Sequence, residues 1–219
     1  GVSVLMEQRV TFYREKGAGM YSTNAYGLAM MLAEIPFLVV NGLIFVCIAT
    51  VISNLGLTSF RDWAMYIGYF MTFIAMCCYL SHTVVAISPN YEVANVLGPG
   101  IASWFSSLAG FYLPKPYIPA AYLWVYWLNP FRYTFEALVM ILFRNQTFEC
   151  TDSELRVNVT GHQVCPQTDG NQILANLGLA EGNSHRWWLT VDAMVVGAYG
   201  VAWIIAALLA LKFLRFGSR

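Results

Sequence analysis

The chain has 219 residues, of which 58% are hydrophobic, 16% aromatic and only 11% charged. Soluble domains carry about 25% charged residues, so this composition excludes a water-soluble globule, and its aromatic content excludes an intrinsically disordered segment. The 12 basic residues balance the 12 acidic ones, and this neutrality indicates no nucleic-acid-binding surface. Because the chain begins with Gly1 rather than Met, we expect it to be part of a longer protein.

Residues 1–21 form a polar, charged segment ahead of the first apolar stretch. Residues 7–21 are amphipathic, and Gly17 and Gly19 are placed to end a helix before the chain turns into the membrane. The pattern fits two structures. One is a solvated juxtamembrane helix, and the other is a cytoplasmic docking helix that transmits motion from a soluble partner.

Apolar stretches of about 20 residues are long enough to cross about 30 Å of hydrocarbon as a helix. The stretches that meet this criterion lie within residues 22–53, 62–87, 93–113 and 187–219. A further apolar stretch, residues 117–143, contains Pro119 and Pro130, each of which interrupts a helix.

Two kinds of marker place the polar loop of residues 144–186 on the non-cytoplasmic side. It contains glycosylation sequons at Asn145 and Asn158 and the two cysteines in a polar setting, Cys150 and Cys165. Sequons and spaced cysteines are typical of the oxidising side of a membrane.

Basic residues lie close to both ends of the chain, which the positive-inside rule assigns to the cytoplasm. With both ends inside and the loop outside, four crossings are consistent and five are not. Residues 117–143 are therefore expected to enter the membrane and return, or to lie at its outer interface. The predicted fold is an all-α polytopic integral membrane protein with four transmembrane helices, a re-entrant or interfacial helical hairpin and an extracellular loop.

Ionisable residues within the apolar stretches are costly and need partners. Glu34 lies inside the first stretch, where it is either a proton or cation site or a structural acceptor for a neighbouring helix. Arg132 and Glu136 are spaced i, i+4, so we expect a structural ion pair on one helix face.

His82 and the pair Cys77-Cys78 are the residues that raise the question of a metal site. No other ligand occurs at a suitable spacing, so no metal site is predicted. Sequence signatures of nucleotide-binding loops, zinc proteases and serine hydrolases are missing, so no catalytic residue is predicted in this chain.

Several motifs occur in a fixed order that resembles the membrane domain of G-type ABC transporters, the White and pleiotropic-drug-resistance group. In chain order they are Arg14-Glu15 with Met20-Tyr21-Ser22, Glu34-Ile35-Pro36, Ser88-Pro89-Asn90, Ala109-Gly110-Phe111-Tyr112-Leu113-Pro114-Lys115-Pro116-Tyr117-Ile118-Pro119, Trp127-Leu128-Asn129-Pro130-Phe131-Arg132-Tyr133 and Glu136-Ala137-Leu138.

The resemblance implies that the chain holds the third to sixth membrane helices of such a domain. Residues 1–21 would be the cytoplasmic coupling segment, with Arg14, Glu15 and Lys16 facing a nucleotide-binding domain of the same protein. Cys150 and Cys165 would form a disulfide within the loop. The chain itself would hold no cofactor, and ATP and magnesium would bind to the nucleotide-binding domain outside it.

In this family the fifth helix lines a central cavity between two membrane domains and closes it with an apolar plug. The matching candidates for the substrate pathway and gate are Ser103, Ser106, Ser107, Phe111 and Tyr112. The last two depart from members that carry paired leucines at the plug. The second domain would come from a homodimer, a heterodimer or the other half of a full-size transporter.

The expected function is the transmembrane part of an ATP-driven exporter that moves lipids, sterols or amphipathic xenobiotics. The expected location is the plasma membrane, with the lipid bilayer as solvent. The alternatives are an ion channel or receptor subunit, which predicts a line of polar residues along one span, and a membrane-embedded lipid-modifying enzyme, which predicts a histidine or carboxylate pair at one membrane face.

Overall fold

A computed structural model describes residues 2–53, 59–144, 146–148, 156–157, 163–165, 168–179 and 185–214. The described part is a bundle of helices with one very short pair of strands. The helices are α1 Val2–Gly17, α2 Thr23–Ser53, α3 Phe60–Ile87, α4 Tyr91–Ser107, α5 Leu123–Leu128, α6 Pro130–Phe143, α7 Gly170–Asn176 and α8 His185–Phe213. The strands are β1 Arg156–Val157 and β2 Gln163–Val164, which pair antiparallel.

Within the described residues, three helices are long and apolar enough to cross a membrane: Thr23–Ile52, Phe60–Ile87 and Trp188–Phe213. They match three of the four predicted spans. The fourth predicted span corresponds to α4, whose 17 residues rise only about 25 Å at 1.5 Å per residue.

Helix α3 lies at the centre of the bundle and packs against α1, α2, α4, α6 and α8. Its contact with α8 is the most extensive and includes two hydrogen bonds between the helices. Thr83 Oγ1 donates to the Trp203 carbonyl at 2.9 Å, and the Tyr69 hydroxyl donates to the Leu189 carbonyl. Because these bonds lie towards opposite ends of α3, they fix the two helices over most of their length.

The bundle has two distinct ends. At one end α1 packs through Phe12 on Ala86 of α3 and on Ala210 and Leu211 of α8. At the other end α6 packs through Ile141 on Leu189 of α8. Thus α1 and α6 lie at opposite ends of α3, as expected if one faces the cytoplasm and the other the outside.

Helix α4 ends earlier than the predicted span of residues 93–113. The helix stops at Ser107, and Gly110 follows with a φ of +100°, in the left-handed region that favours glycine. Phe111 and Tyr112 therefore follow a turn instead of continuing the helix. The sequence did not reveal where α4 ends, because the apolar stretch of residues 101–113 continues beyond Ser107.

The predicted hairpin is broken at both prolines, as their chemistry requires. Pro119 precedes a short 3₁₀ turn, Ala120–Tyr122, and Pro130 is the first residue of α6. Asn129 caps α6, because its Oδ1 accepts from the Phe131 amide at 3.0 Å. Its Nδ2 also donates to the Phe105 carbonyl of α4 at 2.6 Å, so one buried side chain joins the hairpin to α4.

The segment that follows α6 packs on that helix, since Leu174 of α7 and Leu179 just after it contact Val139 and Met140. At the start of α7, a Cβ on Gly170 would lie 1.9 Å from the Phe143 carbonyl oxygen. Only glycine fits at this approach.

We predict that Asn129→Ala destabilises the protein more than Asn129→Ser does. Serine keeps the helix cap but cannot reach the Phe105 carbonyl, while alanine loses both bonds. The expected losses are about 1 kcal/mol for the cap and about 1–3 kcal/mol for the unpaired buried carbonyl. Thermal unfolding of the detergent-solubilised protein should rank wild type, serine and alanine in that order, and equal midpoints for all three would contradict the double role.

Candidate functional site

A buried arginine attaches α1 to the junction between α3 and α4. Arg9 Nη1 donates to the Ser88 carbonyl at 2.6 Å and to the Val85 carbonyl at 3.2 Å. Its Nη2 donates to the Pro89 carbonyl at 2.8 Å. Only 9% of Arg9 is exposed, so these bonds are largely shielded from water. We call this arrangement the Arg9 clamp.

The clamp satisfies groups that α3 cannot satisfy by itself. The last carbonyls of a helix have no partner within it and carry the negative end of the helix dipole. A guanidinium fork is suited to several carbonyls at once, because its donors are planar and fixed in direction. The same cation thus holds the end of α3 and the short link into α4.

Sequence reasoning missed Arg9 as a functional residue and selected Arg14, Glu15 and Lys16 instead. The sequence contains a pattern that could have indicated Arg9. Leu5, Arg9 and Phe12 are spaced i, i+4, i+7 and therefore share one helix face. The structure buries all three. A basic residue in the buried stripe of an otherwise polar helix therefore marks the position that docks.

Aromatic rings complete the docking surface beside the clamp. Phe12 is fully buried and stacks on Tyr26 of α2 with ring centroids 4.4 Å apart. Tyr21 in turn stacks on Tyr26 at 5.6 Å. Burial of one phenylalanine side chain contributes about 1.5–3 kcal/mol, so α1 is held by apolar packing as well as by hydrogen bonds.

The three predicted coupling residues lie at the C-terminal end of α1. Arg14 is exposed, and Lys16 Nζ lies 5.4 Å from the Phe12 ring centroid. Glu15 accepts a hydrogen bond of 2.5 Å from the Tyr21 hydroxyl. That bond, with a smaller effect of burial, raises the pKa of Tyr21 to about 12, so Tyr21 remains a donor at physiological pH.

The predicted gate residues lie along and just beyond α4. Ser103 and Ser107 are exposed, and Ser106 is half-buried. Phe111 and Tyr112 are 65% and 73% exposed and meet edge to face, with centroids 5.1 Å apart. Phe111 also contacts Phe135 of α6. These residues border an open face of α4 that the described part of the chain does not cover.

Arg132 and Glu136 lie buried in α6, with Nη2 and Oε2 2.6 Å apart. The Arg132 guanidinium carbon also lies 4.1–4.7 Å from the ring centroids of Trp127, Tyr126 and Tyr133. The aromatic faces add cation–π attraction to the ion pair, which offsets part of the cost of burying the charge. The sequence indicated the carboxylate partner but not the aromatic cage.

The structure brings Glu34 of α2 to two residues of α3. The Cys78 thiol donates to Glu34 Oε2 at 2.5 Å, and His82 Nε2 lies 3.0 Å from the same oxygen. Spacing along the chain places no further ligand near His82 and the two cysteines. The fold brings the Glu34 carboxylate to them from another helix, which that spacing could not show.

Several predicted loop residues lie outside the described part of the chain. Asn145, Asn158 and Cys150 belong to this set, so the two sequons and the cysteine pairing have no structural test. Cys165 is described and half-buried. Among the described cysteines, Cys47, Cys77 and Cys78 are free thiols.

A protein-family model described as ABC-2 type transporter matches residues 1–143 of the chain. The match covers α1 to α6 and so includes the Arg9 clamp, the open face of α4 and the hairpin. The elements beyond it include α7 and α8.

Three curated relatives carry the name of the same transporter group. ABC transporter G family member 42 of Oryza sativa subsp. japonica is 30% identical over 97% of this chain. Member 38 of the same plant is 36% identical over 63% of this chain. Member 5 of Dictyostelium discoideum is 30% identical over the whole of this chain. The chain spans 9% to 15% of the length of these three relatives.

We predict that Arg9→Ala loosens α1 from the bundle. The change leaves three carbonyls without their charged donor, and hydrogen bonds to charged groups contribute about 1.5–3 kcal/mol each. Amide exchange in α1, measured by mass spectrometry on the detergent-solubilised protein, should accelerate at least about tenfold. Arg9→Lys should give an intermediate rate, because one ammonium group cannot reach all three carbonyls.

Arg14→Ala is the matched control for this experiment, since it removes an exposed arginine from the same helix. Its exchange rates should equal those of wild type. Equal rates in Arg9→Ala and Arg14→Ala would show that the clamp does not hold α1.

Proposed function

Because this chain belongs to the ABC-2 type transporter family and is a membrane domain of the G-type ABC transporters, we propose that it forms the transmembrane part of an ATP-driven exporter. The observation that carries this proposal is the Arg9 clamp. It joins a polar helix with an exposed charged end to the junction between α3 and α4. This arrangement is needed to transmit a displacement from a domain outside the membrane to the membrane helices.

The proposed topology has four crossings and one re-entrant hairpin, with both chain ends in the cytoplasm. Its support is the arrangement of the bundle, in which α1 and α6 lie at opposite ends of α3. Helix α4 supplies the fourth crossing together with the residues that follow it. Phe131, at the start of α6, contacts Phe73 in the middle of α3, while Ile141 lies near the outer end, so the hairpin reaches into the bundle and returns.

The proposed mechanism is alternating access. A nucleotide-binding domain of the same protein binds ATP and magnesium and moves against the exposed end of α1. The clamp transfers this displacement to α3 and α4 together, since Arg9 holds the carbonyl of Val85 in α3 and that of Pro89 in the link to α4. The open face of α4 then moves relative to a second membrane domain.

The second membrane domain is proposed to cover the α4 face that carries Ser103 and Ser107, together with Phe111 just beyond the end of the helix. Small hydroxyl side chains and large exposed rings along one face suit a cavity for flat, apolar molecules with few hydrogen-bonding groups. Lipids, sterols and amphipathic xenobiotics are therefore the proposed cargo class, and the plasma membrane is the proposed location.

The outer loop is proposed to be oxidised and glycosylated. A disulfide between Cys150 and Cys165 would close a short loop and contribute about 3 kcal/mol by restricting the unfolded chain. Asn158 is the preferred glycan site of the two sequons, because Asn145 lies two residues after the end of α6 and thus close to the membrane.

We predict that Arg14→Ala and Glu15→Ala uncouple ATP hydrolysis from export in the complete protein. Both residues lie at the end of α1 that is free to meet a soluble domain, and neither belongs to the apolar docking surface. Membrane insertion should stay normal, while cargo moved per ATP falls several-fold in reconstituted vesicles. Glu7→Ala removes an exposed charge from the other half of α1 and is the control. Normal coupling in both test variants would contradict the proposed role of α1.

We predict that Phe111→Ala raises basal ATPase activity and weakens selectivity among cargoes at near-normal surface expression. If the ring is buried against its symmetry mate in a closed plug, the change removes about 3–5 kcal/mol of packing, and far less if it faces lipid. Tyr122→Ala, at an exposed aromatic of the hairpin, is the control. ATPase and export that match wild type would place Phe111 at the lipid interface instead.

A further inference from the structure

Three side chains that carry chemically different metal-ligating atoms lie close together between α2 and α3, on the membrane side of α1. Cys78 and His82 are spaced i, i+4 on α3 and so share one helix face, and Glu34 approaches them from α2. The thiol sulfur, an imidazole nitrogen and a carboxylate oxygen all lie within 4.8 Å of one another.

His82 distinguishes this cluster from an ordinary hydrogen-bonded network. Its side chain is only 2% exposed, yet neither ring nitrogen has a hydrogen-bond partner in the described structure. Nε2 lies 3.0 Å from Glu34 Oε2 but outside hydrogen-bond geometry. A buried polar group without a partner costs about 1–3 kcal/mol, so an imidazole in this position needs another interaction.

A divalent cation would supply that interaction and also balance the charge. A carboxylate and a thiolate carry two negative charges, which a dication neutralises, and neutrality is favourable at this depth in a membrane. Thiolate and imidazole are ligands of zinc and related transition ions, while calcium and magnesium prefer sets of oxygen ligands.

The present spacing is close to that of a metal site. Zinc lies about 2.0–2.3 Å from such ligands, which places neighbouring ligand atoms about 3.3–3.8 Å apart in a tetrahedron. Cys78 Sγ and Glu34 Oε2 are closer than this, at 2.5 Å. Loss of the thiol proton on metal binding leaves two anions, and rotation of the long glutamate side chain allows them to separate by about 1 Å to fit the tetrahedron.

We propose that Glu34, Cys78 and His82 form a three-ligand binding site for a divalent transition ion of the zinc class. Binding forms the sulfur–metal bond as the Cys78 proton passes to water, with no change in oxidation state. Glu34 and Cys78 also line a cavity of about 930 Å³ between α1 and α2, which gives the ion a path and leaves a fourth coordination position for water. The ion ties α2 to α3, and this inference does not depend on the exporter function.

The test uses Co²⁺ and Zn²⁺ on the complete protein in lipid nanodiscs. Co²⁺ should produce a thiolate-to-metal charge-transfer absorption with one ion per chain, and Zn²⁺ should abolish it by displacement. In a Cys77→Ser background, Zn²⁺ at 100 times its Kd should slow maleimide modification of Cys78 about 100-fold. This second measurement keeps all three ligands native.

Adjacent residues provide the matched controls. Cys78→Ser and His82→Ala should lower ion affinity at least about tenfold, while Cys77→Ser should leave it unchanged, because Cys77 packs in the apolar cluster around Met76. Cys78→His should restore Zn²⁺ binding without the charge-transfer absorption. No absorption and no protection of Cys78 in the folded protein would overturn the proposal, as would equal effects of Cys77→Ser and Cys78→Ser.

Discussion

The attachment of α1 to the bundle centres on the Arg9 guanidinium group and the buried Phe12 ring beside it. Arg9 holds three carbonyls at the end of α3 and in the link to α4, and Phe12 buries its ring in the same surface. Without this attachment α1 would be a polar helix with no defined position. With it, any force on the exposed end of α1 reaches the two helices that form the centre and the open face of the bundle.

Two other clusters of charged side chains inside the bundle show the same pattern, in which a charge has several partners. Arg132 has Glu136 and three aromatic rings. Glu34 has the Cys78 thiol and lies beside His82. A charge inside a low-dielectric bundle costs several kcal/mol unless such groups surround it, so each cluster also fixes the relative position of the segments that supply it. The clusters thus give the bundle specific contacts that lipid-facing apolar packing alone would not provide.

Much of this arrangement follows from sequence alone. Hydropathy gives α2, α3 and α8 nearly to the residue, and the two prolines give the breaks in the hairpin. The spacing of Arg132 and Glu136 gives a shared face, since they lie on one helix. The features that the sequence could not predict depend on contacts between segments that are distant along the chain. Spacing along the chain cannot show that Arg9 meets Ser88, or that Glu34 meets Cys78 and His82. The end of α4 was also missed, because Gly110 turns the chain inside an apolar run.

The most direct test of the account measures whether α1 and the start of α4 move as one unit. Spin labels at the exposed positions Thr11 and Glu92 report this distance by pulsed electron paramagnetic resonance, in the complete protein with its reactive cysteines replaced. If the clamp is rigid, one narrow distance distribution is expected that stays the same without nucleotide and in the ATP-trapped state, and that broadens when Arg9 is replaced by alanine. A shift in the mean distance between the two nucleotide states of the protein with Arg9 intact would contradict the account, because the clamp would then yield instead of transmitting the motion.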